Sequence, residues 1–194
     1  MPITAAQPYF HQPSVTPAST AMRGSARGGP PRVSASEIAW SWIGSFVGIM
    51  AAWFANQALL AGADLMLMIG SMGASAALIF GAPRSPLAQP RNVVGGHALS
   101  ASVGVACWTL LPATPWLAAP LAVSTAIALM HATRTLHPPG GATALIAVIG
   151  SPDVHALGWL YVLAPSTLGP ALLVLVALFV NNIPSSRRYP EAWF

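Results

Sequence analysis

The sequence predicts an all-α integral membrane protein, and three observations carry that prediction. The chain is 55% hydrophobic and only 6% charged, whereas a soluble domain carries about 25% charged residues. Long uncharged apolar runs recur from residue 38 to residue 180. A single secretory signal peptide could not account for this amount of apolar sequence. The charged side chains lie between these runs. The lipid bilayer is therefore expected to be the solvent of most of the chain.

Six apolar segments follow the N-terminal region. A helix that crosses a bilayer perpendicularly needs about 20 residues, with a range of about 17–25. The first, third and sixth segments meet this length easily, the second and fourth are at its short limit, and the fifth is below it. The segments are Ile38–Leu60, Leu65–Gly81, Asn92–Leu111, Trp116–Ala132, Pro138–Gly150 and Gly158–Val180.

The arginines predict the orientation. The chain has eight arginines and no lysine. If the N-terminus is cytoplasmic and all six segments cross, every arginine falls on the inner side, while the outer loops hold Asp64 and Asp153. This is the distribution that the positive-inside rule describes. The sequence therefore predicts cytoplasmic termini, with a disordered tail over 1–36 that is poor in apolar residues, a transmembrane domain over 37–184 and a C-terminal tail over 185–194.

The second and fifth segments are short and interrupted in similar ways. The second contains GASAALI from Gly73 and reaches Gly-Ala-Pro at Gly81, and the fifth contains GATALI from Gly141 and reaches Gly-Ser-Pro at Gly150. Each is the middle segment of a group of three, so the two groups would form inverted 3+3 repeats. Matching interrupted segments in two inverted halves indicate a transporter's binding site. The alternative interpretation is that the small residues only allow close helix packing.

A helix that starts inside the membrane has backbone N–H groups without intrahelical partners, and its positive end favours an anion. Hydroxyl groups beside the two starts would add donors, a proline pair suits the first turn of a helix, and glycines let a ligand approach the backbone. The candidate substrate-binding residues, including two histidines and an asparagine, are Ser71, Gly73, Ser75, Asn92, His97, His137, Pro138, Pro139, Gly140, Gly141 and Thr143.

The histidines leave alternatives open. An ionisable side chain at membrane depth tends to mark a pathway or a proton relay, and His97 is the best candidate, against a histidine bonded to a backbone carbonyl. His137 either belongs to the site or caps the fifth segment, and His155 is expected to be solvated in an outer loop. No histidines stand at a paired metal-ligand spacing on one helix, so no metal or other cofactor is predicted. No catalytic motif occurs, so no enzyme is predicted.

Several motifs together resemble the HPP family of integral membrane proteins. These are LHPPGGATAL (136–145), GSMGASAALIFGAPRSPLAQPRNVVGGH (70–97), NNIPSSRRYPEAW (181–193) and the Trp-Ile-Gly at the start of the first segment. Gly140 stands where the family more often has alanine. The resemblance implies a compact membrane protein that is commonly described with four spans, and some chloroplast and cyanobacterial members are regarded as nitrite transporters.

The expected function is a transporter or channel for a small monovalent anion, with nitrite as the leading candidate. The alternatives are an aquaporin-like pore for small neutral solutes and a histidine-dependent membrane enzyme. The expected partners are the bilayer and a small inorganic anion, and a homo-oligomer is left open. Nucleic acid is not expected, because the arginines are scattered. The absence of lysine and the abundance of alanine favour a bacterial inner membrane, with a chloroplast membrane as the alternative.

Overall fold

The computed structural model describes residues 32–60 and 69–193. In these residues the chain forms helices and no strands. The helices are α1 (Ala35–Leu60), α2 (Gly70–Gly81), a 3-10 turn (Pro86–Ala88), α3 (Pro90–Leu110), α4 (Pro115–Ala132), α5 (Pro138–Ile149), α6 (Pro152–Ala156), α7 (Leu160–Leu163) and α8 (Leu168–Val180). The all-α prediction is confirmed for this part of the chain. Most of the predicted N-terminal tail and Asp64 lie outside the described residues, and α1 begins at Ala35, just inside the predicted tail.

Four helical stretches are long and apolar enough to cross a membrane. They are Ala35–Ala58, Pro90–Leu110, Pro115–Ala132 and Leu160–Val180. The helices α2 and α5 have only 12 residues each, which at about 1.5 Å per residue gives about 18 Å. The hydrocarbon core of a bilayer is about 30 Å thick. The four long stretches agree with the family expectation, and the crossing of the membrane by α2 and α5 stays a prediction.

The last span is interrupted, which the sequence analysis did not anticipate. The segment predicted as one continuous helix from Gly158 to Val180 consists of α7, a turn at residues 164–167 and α8. Pro165 lies in this turn. A proline has no backbone N–H and its ring clashes with the preceding helical turn, so it breaks the helix there. The sixth segment therefore has an interruption inside an apolar stretch, as was expected only of the second and fifth.

The apolar core is built mainly around α2. Phe80, Ile79 and Met72 of this helix are fully buried, together with Leu173 of α8. On α1, a Cβ added at Gly44 or Gly48 would come within 3.0 Å of the Phe80 ring. The Gly44/Gly48 pair is thus a close-packing feature, as small residues at this spacing usually are. The opposite face of α1 carries exposed Trp42, Phe46 and Trp53, as expected of a surface that faces lipid.

One end of the bundle is held together by polar contacts. Arg91 Nη2 donates to the Thr133 carbonyl after α4 at 2.8 Å, and Arg84 Nη2 donates to the Ser186 carbonyl at 2.7 Å. These bonds join the end of α2, the start of α3, the end of α4 and the C-terminal segment. The five arginines of the described membrane unit (34–193) all lie at this end, in loops, in the first turn of α3 or in the C-terminal segment: Arg84, Arg91, Arg134, Arg187 and Arg188.

The C-terminal segment is packed against the bundle. The guanidinium of Arg187 is buried, with Nε 2.8 Å from the Glu37 carboxylate at the start of α1. Its Nη1 donates to the carbonyl of Phe80, near the end of α2, at 3.2 Å. The phenol of Tyr189 donates to the Ala88 carbonyl at 2.8 Å, and burial raises the pKa of this phenol. The segment predicted as a separate cytoplasmic tail thus contributes buried side chains to the membrane domain.

Candidate functional site

Five buried polar side chains meet where three helices pack together. Ser71 and Ser75 come from α2, His97 comes from α3, Thr143 comes from α5, and His137 is the residue just before α5. The exposed fraction of each residue is 1% or less. Buried polar groups in an apolar interior are costly unless they bond to one another. These five do so, and we call them the histidine network.

Ser75 lies at the centre of the histidine network. Its Oγ is 2.7 Å from Nε2 of His97 and 2.9 Å from Nε2 of His137. The centres of the two imidazole rings are 5.1 Å apart. The Ser75 hydroxyl can also donate to the Ser71 carbonyl, one helical turn earlier, at 3.2 Å. A single hydroxyl therefore links two imidazoles from different elements.

The outer nitrogen of each imidazole has its own partner. Nδ1 of His97 is 2.7 Å from Oγ1 of Thr143, and that hydroxyl donates to Ser71 Oγ at 2.8 Å. Nδ1 of His137 is 2.8 Å from the backbone carbonyl of Leu87 in the 3-10 turn. The hydrogen-bonded chain therefore runs from the Leu87 carbonyl through both histidines to Ser71, near the start of α2.

Close contacts between α3 and the start of α5 bring His137 inside. A Cβ at Gly96 would lie 2.7 Å from Cβ of His137 and 2.8 Å from the Thr135 carbonyl. A Cβ at Gly140 would lie 2.8 Å from Ser100 Oγ. Real Cβ atoms do not approach so closely, so glycine is required at both positions for this packing. His137 is the N-cap residue of α5, but its imidazole makes no cap hydrogen bond and belongs to the network instead.

The expected backbone anion site at the start of α5 is weaker than the sequence suggested. Pro138 and Pro139 have no N–H to offer, and the N–H of Gly140 already donates to the His137 carbonyl at 2.8 Å. Most of the donors that a helix start would present to an anion are therefore missing here. The polar groups at this place are side chains of the histidine network.

Two cavities lie toward opposite ends of α3. We call the first the arginine cavity; it has a volume of about 260 Å³ and is lined by Pro86, Gln89, Arg91, Asn92, Arg134, Ala192 and Trp193. Neither Arg91 nor Arg134 forms an ion pair with a described residue. Nδ2 of Asn92 donates to the carbonyl of Leu136 at 2.9 Å, and Leu136 precedes His137. The arginine cavity is therefore positively charged and adjoins one end of the histidine network.

The second cavity, which we call the tryptophan cavity, has a volume of about 210 Å³. Trp108, Thr109, His155 and Tyr161 provide its polar and aromatic lining. The rings of Trp108 and His155 stack with centres 3.8 Å apart, and His155 Nε2 contacts the Val148 carbonyl at 3.1 Å. His155 is thus packed rather than freely solvated. The Tyr161 hydroxyl donates to the Thr143 carbonyl at 2.9 Å, so this cavity adjoins the other end of the network.

Sequence comparisons identify the relatives of this chain. The profile described as "HPP, transmembrane region" matches residues 30–190. Two transmembrane proteins of Dictyostelium discoideum are 45% and 44% identical to the chain, each over 168 residues and 85% of its length. The chain belongs to the HPP family. It covers 54% and 59% of these two relatives, so it spans little more than half of their length. No solved structure matches the chain.

The HPP signature run contributes His137, Pro139, Gly140 and Thr143 to the buried interior, but not every predicted residue of the run lies at the network. Pro138 is exposed, and Gly141 is only partly buried. On α2, Gly73 is exposed, and a Cβ added to it would meet no atom within 4 Å. The structure therefore brings together Ser71, Ser75, His97, His137 and Thr143, and leaves Gly73, Pro138 and Gly141 away from them.

Sequence reasoning missed the residues that surround the network in this HPP protein. Tyr161 is buried and reaches Thr143 from α7, and Leu87 supplies a carbonyl from the 3-10 turn. The only signal for Tyr161 was Pro165 shortly after it, which marks an interrupted helix. Leu87 gave no signal, because a backbone carbonyl has no residue-specific signature. In the described residues no group of three potential metal ligands comes together.

Proposed function

We propose that this HPP protein carries a small monovalent anion across a membrane, with nitrite as the leading candidate. The observation that carries the proposal is the histidine network, which is buried between two short helices of a membrane protein. Its side chains are hydroxyls and imidazoles, and no carboxylate of a described residue contacts it. Polar groups are costly at membrane depth and are kept there mainly for function.

The charge around the network favours an anion over a cation. The arginine cavity presents two guanidinium groups without carboxylate partners in the described residues. Arginine is always charged and offers donors to small oxyanions. A cavity with one sign of charge also raises the local concentration of ions of the opposite sign. An anion would therefore collect at the arginine cavity before it reaches His137.

The closed interior favours a gated transporter over an open pore. The side chains of the network are fully buried, so an ion that passes between the two cavities must displace α2 or α5. These two helices contact each other through Ser71 with Thr143 and through Ser75 with His137. These hydrogen bonds would have to break and re-form for the path to open.

The topology that goes with this function is part of the proposal. All five arginines of the described membrane unit lie at one end of the bundle, which supports a cytoplasmic position for that end under the positive-inside rule. α2 and α5 would complete six crossings in inverted 3+3 repeats, and their contact in the interior supports such a pairing. The membrane would be a bacterial inner membrane, and a homo-oligomer would bury the exposed faces of the two short helices.

A flux assay with the purified chain in liposomes tests the proposed function. We expect nitrite uptake above that of empty liposomes, and competition by other small anions such as nitrate or formate. Glycerol and water should pass no faster than through empty liposomes. Nitrite uptake at the empty-liposome rate under both inward and outward gradients would contradict the proposal. Rapid glycerol or water flux without nitrite flux would support the neutral-solute pore instead.

A further inference from the structure

We infer that the His97–Ser75–His137 triad holds one exchangeable proton, and that this proton crosses the membrane together with the anion. The inference deepens the proposed function and rests on it for the identity of the anion. It starts from the geometry around one hydroxyl. Ser75 Oγ lies within hydrogen-bonding distance of two imidazole nitrogens, at 2.7 Å and 2.9 Å.

The partner of Nδ1 fixes the tautomer of His137, and the direction of the Thr143 hydroxyl sets the tautomer of His97. A carbonyl oxygen can only accept a hydrogen bond, so Nδ1 of His137, which faces the Leu87 carbonyl, must carry a proton. Thr143 has one hydroxyl proton. While it donates this proton to Ser71, Nδ1 of His97 donates to Thr143 Oγ1 and also carries a proton. Tautomers are assigned in this way from the partners of each nitrogen.

The proton count then shows a deficit of one. A neutral imidazole has one N–H, so with both Nδ1 atoms protonated both Nε2 atoms present lone pairs to Ser75. The Ser75 hydroxyl has a single proton, which can go to the Ser71 carbonyl or to one imidazole, so it satisfies at most one of the two lone pairs. One additional proton completes the network: the cationic imidazole donates from Nε2 to Ser75 Oγ, and Ser75 donates to Nε2 of the other histidine.

The same atoms can also be fully bonded without the extra proton. If the Thr143 hydroxyl turns from Ser71 to Nδ1 of His97, the proton of His97 moves to Nε2. The hydrogen bonds then run in one direction, from Thr143 through His97, Ser75 and His137 to the Leu87 carbonyl. The two forms differ by one proton and by the rotation of one hydroxyl, so the site can gain or lose a proton without a large rearrangement.

Among the described residues, no carboxylate approaches the protonated form. Among described residues the titratable group that approaches the network from another element is the Tyr161 phenol of α7, which donates to the Thr143 carbonyl. The 3-10 turn offers a carbonyl, and α2, α4 and α8 direct no charged group to the triad. Glu37 is paired with Arg187 and Glu191 with Arg84. A buried cation needs a charged partner, and one monovalent anion supplies it.

The proton and charge therefore balance in one transport step. A proton from the entry side binds the triad, one anion binds beside it, and both leave on the other side. The network returns to its neutral form, and the net charge moved is zero.

The experiment uses the full chain in liposomes that contain a pH-sensitive dye, with the membrane potential clamped at zero. We expect inward nitrite flow to acidify the interior in a ratio of about one proton per nitrite, and a potential of either sign to leave the rate unchanged. Nitrous acid crosses lipid unaided, so empty liposomes set the background. Ser75→Ala should lose the coupled acidification, and Ser102→Ala, which removes another membrane hydroxyl, should keep it. Nitrite uptake that follows the potential without acidification would overturn the inference while leaving the proposed function intact.

A second measurement reads the proton site without transport. In nanodiscs, protein labelled with ¹⁵N-histidine should show one imidazolium shared by His97 and His137 on acidification, at a higher pH with nitrite than without. His97→Gln and His137→Gln assign the signals. A pair that stays neutral with and without nitrite would overturn the inference, and this result stands even if no nitrite flux is seen.

Discussion

At the scale of single residues, the site depends on where side chains are absent as much as on where they are present. His137 is buried because Gly96 has no Cβ at the point where the start of α5 meets α3. The sequence singled out His97 as the best candidate and left His137 as either a site residue or a cap of the fifth segment. Nothing in the local sequence of His137 shows that a glycine 41 residues earlier lets it approach Ser75. This contact joins residues that are far apart along the chain, and a single sequence does not show which distant residues lie close together in space.

Substitution of Gly96 tests this contact. In Gly96→Ala the added methyl group would overlap Cβ of His137 and the Thr135 carbonyl, and overpacking of this kind costs about 1–3 kcal/mol. Gly73→Ala is the matched control, because its methyl group would meet no atom within 4 Å. We expect a lower midpoint of thermal unfolding in detergent for Gly96→Ala. For Gly73→Ala we expect an unchanged or slightly higher midpoint, because alanine favours a helix over glycine by about 0.5–1 kcal/mol. Equal midpoints for the two variants would contradict the packing described here.

At the scale of elements, composition was enough to pick out the two short helices but not the third interruption. α2 and α5 were predicted from their length and from glycine and proline at their ends, and both are 12-residue helices. The turn at residues 164–167 was missed because Pro165 lies in a long apolar run that already had sufficient length for a span. The packing of the C-terminal segment was not predicted, because Arg187 was interpreted only as a topology signal. The partners of the Arg187 guanidinium lie about 100 and 150 residues earlier in the chain.

Arg187 joins α1, α2 and the C-terminal segment, so its removal should loosen all three. Its guanidinium contacts Glu37 and Ser41 of α1, the Phe80 carbonyl and Asn181. Its loss leaves the buried Phe80 carbonyl and Asn181 Oδ1 without this donor, at about 1–3 kcal/mol for each buried group left unsatisfied, whereas the Glu37 carboxylate is 28% exposed and can turn to water. Arg187→Gln should therefore lower the unfolding midpoint strongly. Arg188→Gln removes one positive charge at the exposed neighbouring position and should change the unfolding midpoint little. A variant Arg187→Gln as stable as Arg188→Gln would refute this role.

At the scale of the whole molecule, the arginine pattern and the fold agree on which ends of the helices lie together. Arg84 bonds to the C-terminal segment, and Arg91 at the start of α3 bonds to the loop that holds Arg134, all at one end of the bundle. The sequence could place these arginines on one side because the positive-inside rule needs only the order of the apolar segments and of the arginines between them. It could not show that the arginine cavity and the tryptophan cavity lie toward opposite ends of α3, with the histidine network between them.

Cysteine labelling tests the orientation of this arrangement. In a Cys107→Ala background, which has no other cysteine, Asp153→Cys should react with a membrane-impermeant thiol reagent from outside intact cells. Arg134→Cys should react only after the cells are opened, because its loop lies at the arginine-rich end. External labelling of Arg134→Cys together with protection of Asp153→Cys would reverse the proposed orientation. External labelling of both would exclude the six-crossing topology.

The most direct test of the central claim compares nitrite transport by two histidine variants in liposomes. His97→Gln removes an imidazole from the histidine network, and His131→Gln removes an exposed imidazole at the end of α4. With both variants confirmed as folded by their thermal unfolding midpoints, His97→Gln should transport nitrite no faster than empty liposomes, and His131→Gln should match the wild type. Transport by folded His97→Gln at the wild-type rate would contradict the claim that the buried histidine network is the transport site.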